Sequence, residues 1–145
     1  MFKTCAADRP HDGVHDAYIR PRLVVPDVDE AIAYYVSCLG AQKGPRYAEP
    51  SGRVVHAELT IGESMLSLTQ AHDDYHLYSP RSFGGSPMLL TLTVDDATAV
   101  GAAMTEGGGR AIVPIEDRPY GKREGRIEDP FGHLWVVSQL LEPVH

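Results

Sequence analysis

His56 and Glu58 stand two residues apart in an alternating run, Val55-His56-Ala57-Glu58-Leu59-Thr60-Ile61. Residues two apart on an extended strand share a face. The run therefore predicts an imidazole beside a carboxylate on one side, with Val55, Ala57, Leu59 and Ile61 on the other. Such a pair suits acid–base chemistry or a basic ligand. A hydrated internal pair or a subunit contact would use the same residues. Arg20 and Arg22 repeat the two-residue spacing. Their guanidinium groups point one way on a regular strand and match a carboxylate, phosphonate or phenolate. Pairing with Glu58 is the competing expectation. His72, Asp73 and His76 have the spacing of a helical metal pair, but their neighbours are turn-formers and no third donor has a defined place. Arg118-Pro119-Tyr120-Gly121-Lys122-Arg123-Glu124 is the densest positive stretch, either a solvated loop or the rim of an anion site.

These side chains must be positioned by a pattern that occurs twice, 69 residues apart. Leu23-Val24-Val25-Pro26-Asp27 leads into Val28 through Gly40; Leu92-Thr93-Val94-Asp95-Asp96 leads into Ala97 through Gly109. Each copy reads as an apolar strand, an acidic helix start and a glycine stop. Strands are expected at 18–25, 43–49, 53–61 and 64–70, with Gly62-Glu63 as a hairpin turn. Pro21 cannot donate to a ladder, so the first strand should be exposed or irregular there. In the second half the expected order is a strand at 88–94, a helix at 96–107, and strands near 111–115, 124–129 and 133–139. Gly107-Gly108-Gly109 follows a helix instead of opening one, so it is not a phosphate loop.

The implied fold class is α+β: two βαβββ modules forming a curved mixed sheet around a cleft, helices outside. Residues 1–16 read as a flexible lead-in, 17–70 as the first module and 71–87 as a linker. Residues 88–140 form the second module and 141–145 a tail. Tyr47, Tyr78, Phe83, Tyr120 and Trp135 are candidate aromatic walls for a flat ligand.

A chain of 145 residues with 43% hydrophobic and 23% charged residues suits one globular domain or two small modules sharing a core. A net charge of −7 argues against nucleic acid or an anionic membrane as partner. No apolar run is long enough to span a bilayer and no signal core opens the chain, so a cytoplasmic location is expected. Cys5 and Cys38 fit no metal or redox spacing. His11 and His15, separated by Gly13, are expected to face solvent.

Two longer motifs carry a family resemblance. They are Val25-Pro26-Asp27-Val28-Asp29-Glu30-Ala31-Ile32-Ala33-Tyr34-Tyr35 with Leu39-Gly40-Ala41, and Glu128-Asp129-Pro130-Phe131-Gly132-His133-Leu134-Trp135. Over residues 18–140 the chain resembles the vicinal oxygen chelate superfamily of glyoxalases, extradiol dioxygenases and bleomycin-resistance proteins. His56-Ala57-Glu58-Leu59, Ile61-Gly62-Glu63-Ser64 and Tyr120-Gly121 bring it nearest the PhnB-like group.

The resemblance implies that metal-dependent relatives carry a His on the first strand and a Glu on the fourth strand of each half. Those positions fall on Arg20, Ser67, Leu89 and Val136, none an ordinary ligand for a borderline divalent ion. No metal and no cofactor are therefore expected. The resemblance points to metal-independent binding of a small organic molecule by a homodimer, with drug sequestration as the sharper version. An internal Glu58 would suit a cationic drug. The expected ligand contacts are Arg20, Arg22, His56, Glu58, Ser67, Tyr120 and Trp135, with His56 and Glu58 as weak catalytic candidates. The alternatives are a lyase or isomerase using a displaced metal or the His56/Glu58 pair, and a non-catalytic structural dimer module.

Overall fold

The structure, a computed structural model, describes residues 13–142. Expectations for Cys5 and His11 fall outside that range. Eight strands and two helices follow the expected order. The first half holds β1 (Arg22–Val25), α1 (Val28–Leu39), β2 (Gln42–Ala48), β3 (Val54–Ile61) and β4 (Ser64–Gln70). The second holds β5 (Leu89–Thr93), α2 (Ala97–Glu106), β6 (Arg110–Asp117), β7 (Lys122–Glu128) and β8 (Leu134–Leu140). Between them the chain makes short 3-10 turns at Asp73–Tyr75 and Pro80–Phe83.

Hydrogen bonding groups the strands into two four-stranded mixed sheets, ordered β1-β4-β3-β2 and β5-β8-β7-β6. The internal two-fold holds residue by residue. Arg22 lies opposite Ser67 across the parallel β1–β4 pair, and Thr91 opposite Val136 across β5–β8. Both partners are displaced by the repeat length.

Each helix closes the outer face of its own sheet. The Asp27 carboxylate accepts from the Glu30 amide at 3.1 Å, and that of Asp96 from the Ala99 amide at 3.0 Å. These bonds satisfy amides that a helix start otherwise leaves without partners. Val28, Ala31, Ile32 and Tyr35 then pack on Leu23, Val25, Leu59 and Leu68, all buried. Full burial of such aliphatic side chains contributes about 1.5–3 kcal/mol each.

Two local expectations change. The first strand begins at Arg22 instead of Tyr18. Pro21 has no amide to donate, though its carbonyl still accepts from the Ser67 amide at 2.9 Å. In β3, Tyr47 pairs with His56 while Ala48 pairs with Val54, so one extra residue is accommodated. This bulge buries Val54 and leaves Val55 37% exposed, reversing the inward assignment of Val55. Ala57, Leu59 and Ile61 keep the expected inward face. Gly62, at φ 55, makes the turn between β3 and β4 in a backbone region side chains resist.

The halves meet through their helices and one buried polar cluster. The Tyr34 hydroxyl donates to the Met104 carbonyl at 2.8 Å, and the Cys38 thiol to the Ala103 carbonyl at 3.3 Å. The rings of Tyr34, Tyr35, Phe131 and Trp135 stand edge-on or tilted, 5.5 to 6.0 Å apart. Among the described residues, no helix is long and apolar enough to cross a membrane.

Candidate functional site

With the helices on the outer faces, the opposite face of each sheet is free for chemistry. In the first half, β1, β3, β4 and the lead-in segment supply Arg22, His56, Glu58, Ser67 and Arg20 to one cavity of about 460 Å³. Tyr18, Met65 and Leu66 complete its lining. Strand register explains the grouping, because Ser67 has Arg22 on one side and Glu58 on the other.

The polar contacts are directional. Arg22 Nε donates to Ser67 Oγ at 3.2 Å, and Ser67 is only 6% exposed. His56 Nε2 lies 3.2 Å from Glu58 Oε1. The Tyr47 ring stacks near the imidazole, with centroids 6.1 Å apart and planes 28° apart. His56 Nδ1 is buried without a protein partner. The Arg20 guanidinium rests 4.5 Å from the centre of the Tyr18 ring, a cation–π contact.

Tyr120 and Trp135, expected at the same site, lie elsewhere. Tyr120 lines a cavity of about 140 Å³ on the second sheet with Val113, Arg118, Glu124, Arg126 and Val136. Its hydroxyl donates to Glu124. That bond raises the Tyr120 pKa and lowers that of Glu124, to which Ser138 also donates. Trp135 is 3% exposed in the core. It also borders a groove of about 530 Å³ between the halves, beside Tyr18, Ile19, Leu90 and Leu92.

His72 and His76 do not form a ligand pair. Their segment is a 3-10 turn in which His72 Nδ1 accepts from the Asp74 amide at 3.2 Å, while His76 takes a positive φ of 56. Helical spacing is never realised there. His133 joins the halves: its Nε2 donates to the Val24 carbonyl at 2.8 Å.

The residue missed by sequence reasoning is Asp129. Named in the sequence only as part of the second family motif, it is 1% exposed and accepts four hydrogen bonds. Oδ1 takes the Phe131 amide at 2.9 Å and the His133 amide at 3.0 Å. Oδ2 takes Trp135 Nε1 at 2.9 Å and the Tyr35 hydroxyl. Burial and the adjacent Asp129 carboxylate hold the Tyr35 pKa well above the ordinary phenol value. Tyr34-Tyr35 in one repeat and a single tryptophan in the other were the available signals, but neither names a partner.

Paired βαβββ units, each a four-stranded mixed sheet with its helix on the outer face, define the fold class. The chain belongs to the Glyoxalase/Bleomycin resistance protein/Dioxygenase superfamily, whose model matches residues 17–137. An uncharacterized protein of Mycobacterium bovis is 33% identical over 133 residues, covering 88% of this chain and 86% of that one. Among solved structures, a Pseudomonas aeruginosa protein superposes with a TM-score of 0.69 at 24% identity, over 88% of this chain and all of its own. The PhnB protein of Bacillus cereus gives 0.66 at 18% identity, over 85% and 99%. These likenesses establish the fold.

The residues present do not fit the divalent metal that some members of this fold family carry. At the four implied positions, Leu89 and Val136 have no donor atom, the Ser67 hydroxyl is engaged by Arg22, and Arg20 is cationic. Among the described residues, no cluster of three or more His, Cys, Asp or Glu could hold a metal ion.

Proposed function

We propose that this protein binds a small organic molecule, without a metal, in the cavity of the first sheet. One observation carries the proposal: Arg20, Arg22, His56, Glu58 and Ser67, from three strands and the lead-in, converge on about 460 Å³. That volume suits a small-molecule ligand, and the lining combines apolar wall with a few directional polar groups. Tyr120 contributes from the second half when a second copy of the chain completes the cleft, which makes the working unit a homodimer, while Trp135 stays in the core. The motifs around His56 and Tyr120, together with the likeness to the Bacillus cereus protein, support a PhnB-like grouping. Sequestration of a drug-like compound is the sharper form, since holding a molecule needs shape and ionic anchors and no nucleophile.

The His56–Glu58 contact of 3.2 Å favours metal-free acid–base catalysis as the second function. A native mass spectrometry screen of drug-like compounds, with divalent metals and with a chelator, tests both. Stoichiometric binding that survives chelation supports the proposal. Binding only with a stoichiometric metal overturns it. Turnover abolished in Glu58→Gln, with binding retained, would select the catalytic alternative.

A further inference from the structure

We infer that the first-sheet cavity takes an organic anion, with Arg22 as its charge anchor; this rests on the small-molecule function proposed above and names its ligand class. The chain is acidic, with 20 Asp and Glu against 13 Lys and Arg. Carboxylates are therefore plentiful, and most of its arginines have one. Arg46 pairs with Asp29, Arg53 with Glu49, Arg81 and Arg110 with Glu128, Arg118 with Glu116, and Arg123 with Asp117, all within 3.6 Å. Among the described residues, the arginines outside these ion pairs are Arg20, Arg22 and Arg126. Those three line the cavities on the inner sheet faces. Counter-ions are missing where a ligand would sit.

The cavity also keeps its own acid away from the arginines. Glu58 contacts His56 at 3.2 Å and makes no ion pair with Arg20 or Arg22. The buried Ser67 hydroxyl holds Arg22 by Nε, fixing the plane of the fork while both terminal nitrogens keep their donors for a ligand. A pre-oriented guanidinium loses little freedom on binding and matches the two oxygens of a carboxylate. Arg20, steadied by the Tyr18 ring, supplies a second positive charge to the same cavity. A cationic ligand would have to displace His56 from Glu58 beside two guanidinium groups. Tyr18, Met65 and Leu66 give the anion an apolar surface, so the ligand class is a carboxylate on an apolar or aromatic body.

The test titrates the full chain, in chelator, with 2-naphthoate, 2-naphthylmethylamine and neutral 2-naphthylmethanol, followed by NMR shifts of assigned amides. The expected result is that naphthoate binds most tightly of the three and shifts Arg22, His56 and Ser67. Arg22→Gln weakens it about tenfold, corresponding to about 1.4 kcal/mol for one charge-assisted contact. Arg20→Gln weakens it less, and Arg46→Gln, on the outer surface, leaves it unchanged. Both cavity variants should show wild-type unfolding temperatures, because neither side chain supports the core. Tighter binding of the amine or the alcohol in this cavity overturns the anion assignment and leaves the small-molecule function standing. Failure of all three probes to shift these residues overturns both.

Discussion

Replacing Asp129 by Asn keeps the shape of the buried hub and removes its charge. The carboxylate receives the Phe131 and His133 amides on Oδ1, and Trp135 Nε1 and the Tyr35 hydroxyl on Oδ2. Asparagine has one acceptor oxygen. If that oxygen serves the two turn amides, the new NH2 faces the indole N–H donor to donor. One buried donor is then stranded, costing about 1–3 kcal/mol. The surviving bonds lose charge assistance, which roughly halves their strength. Together these terms give about 3–5 kcal/mol, a large part of the roughly 5–15 kcal/mol that stabilises a domain. At roughly 2–4 °C per kcal/mol for a chain of this size, Tm should fall by about 6–20 °C. Urea unfolding followed by emission of Trp135, the one tryptophan in the sequence, measures the loss. A loss below about 1 kcal/mol, with unchanged emission, would refute the hub. Tyr35→Phe removes one donor and strands none, so it should cost only about 1–2 kcal/mol.

Tyr34 and Tyr35 both have folded-state pKa values above the ordinary phenol value, chiefly through burial. Their contribution is therefore intact below the unfolded value of about 10 and is lost as pH rises through the folded-state values. Wild-type stability should decline above that pH, and the decline should be shallower in Tyr35→Phe; a decline equally steep in the variant would contradict this. Gly125→Ala would place a Cβ 2.5 Å from the Val113 carbonyl oxygen and 2.7 Å from the Ile115 amide nitrogen. Backbone cannot give way there, so a loss of at least about 2 kcal/mol is expected in chemical denaturation. At Gly101 a Cβ would meet Ile115 Cδ1 at 2.2 Å, the movable end of a side chain, so Gly101→Ala should cost clearly less. Equal losses in the two alanine variants would show that this distinction is wrong. Analytical ultracentrifugation should find a dimer whose dissociation weakens ligand binding; a monomer binding at full affinity would remove the second copy from the site.

Much of the fold could be read because its signals are local. Helix starts at Asp27 and Asp96, the Gly62 turn and the alternation of Ala57, Leu59 and Ile61 are each decided within a few residues. The exchange of Val54 for Val55 was not legible, since a bulge arises from pairing with β2 and leaves no mark in a valine pair. His56 and Glu58, two apart on β3, share a face as strand geometry requires, whereas Arg20 reaches the same cavity as Arg22 from the lead-in, because β1 begins only at Arg22. Grouping them with Ser67 depended on the family resemblance, which put the last ligand position at Val136, and on the repeat length, which carried that position back to Ser67. Tyr120 and Trp135 did not join that group, because face and half cannot both be inferred from aromatic character. Three of the four hydrogen bonds to Asp129 come from residues two to six positions on, but the fourth comes from Tyr35, 94 residues away, and that partner no local pattern encodes.

The central claim is that the first sheet's inner face binds an organic molecule without metal. A crystal structure of the chain with a ligand from the native mass screen, grown in chelator, tests it most directly. The predicted result is ligand density against Arg22, Ser67, His56 and Glu58, with a guanidinium fork on its polar end and no bridging ion. Density confined to the groove beside Leu90, Leu92 and Trp135, or a ligand held through a coordinated metal, would contradict it.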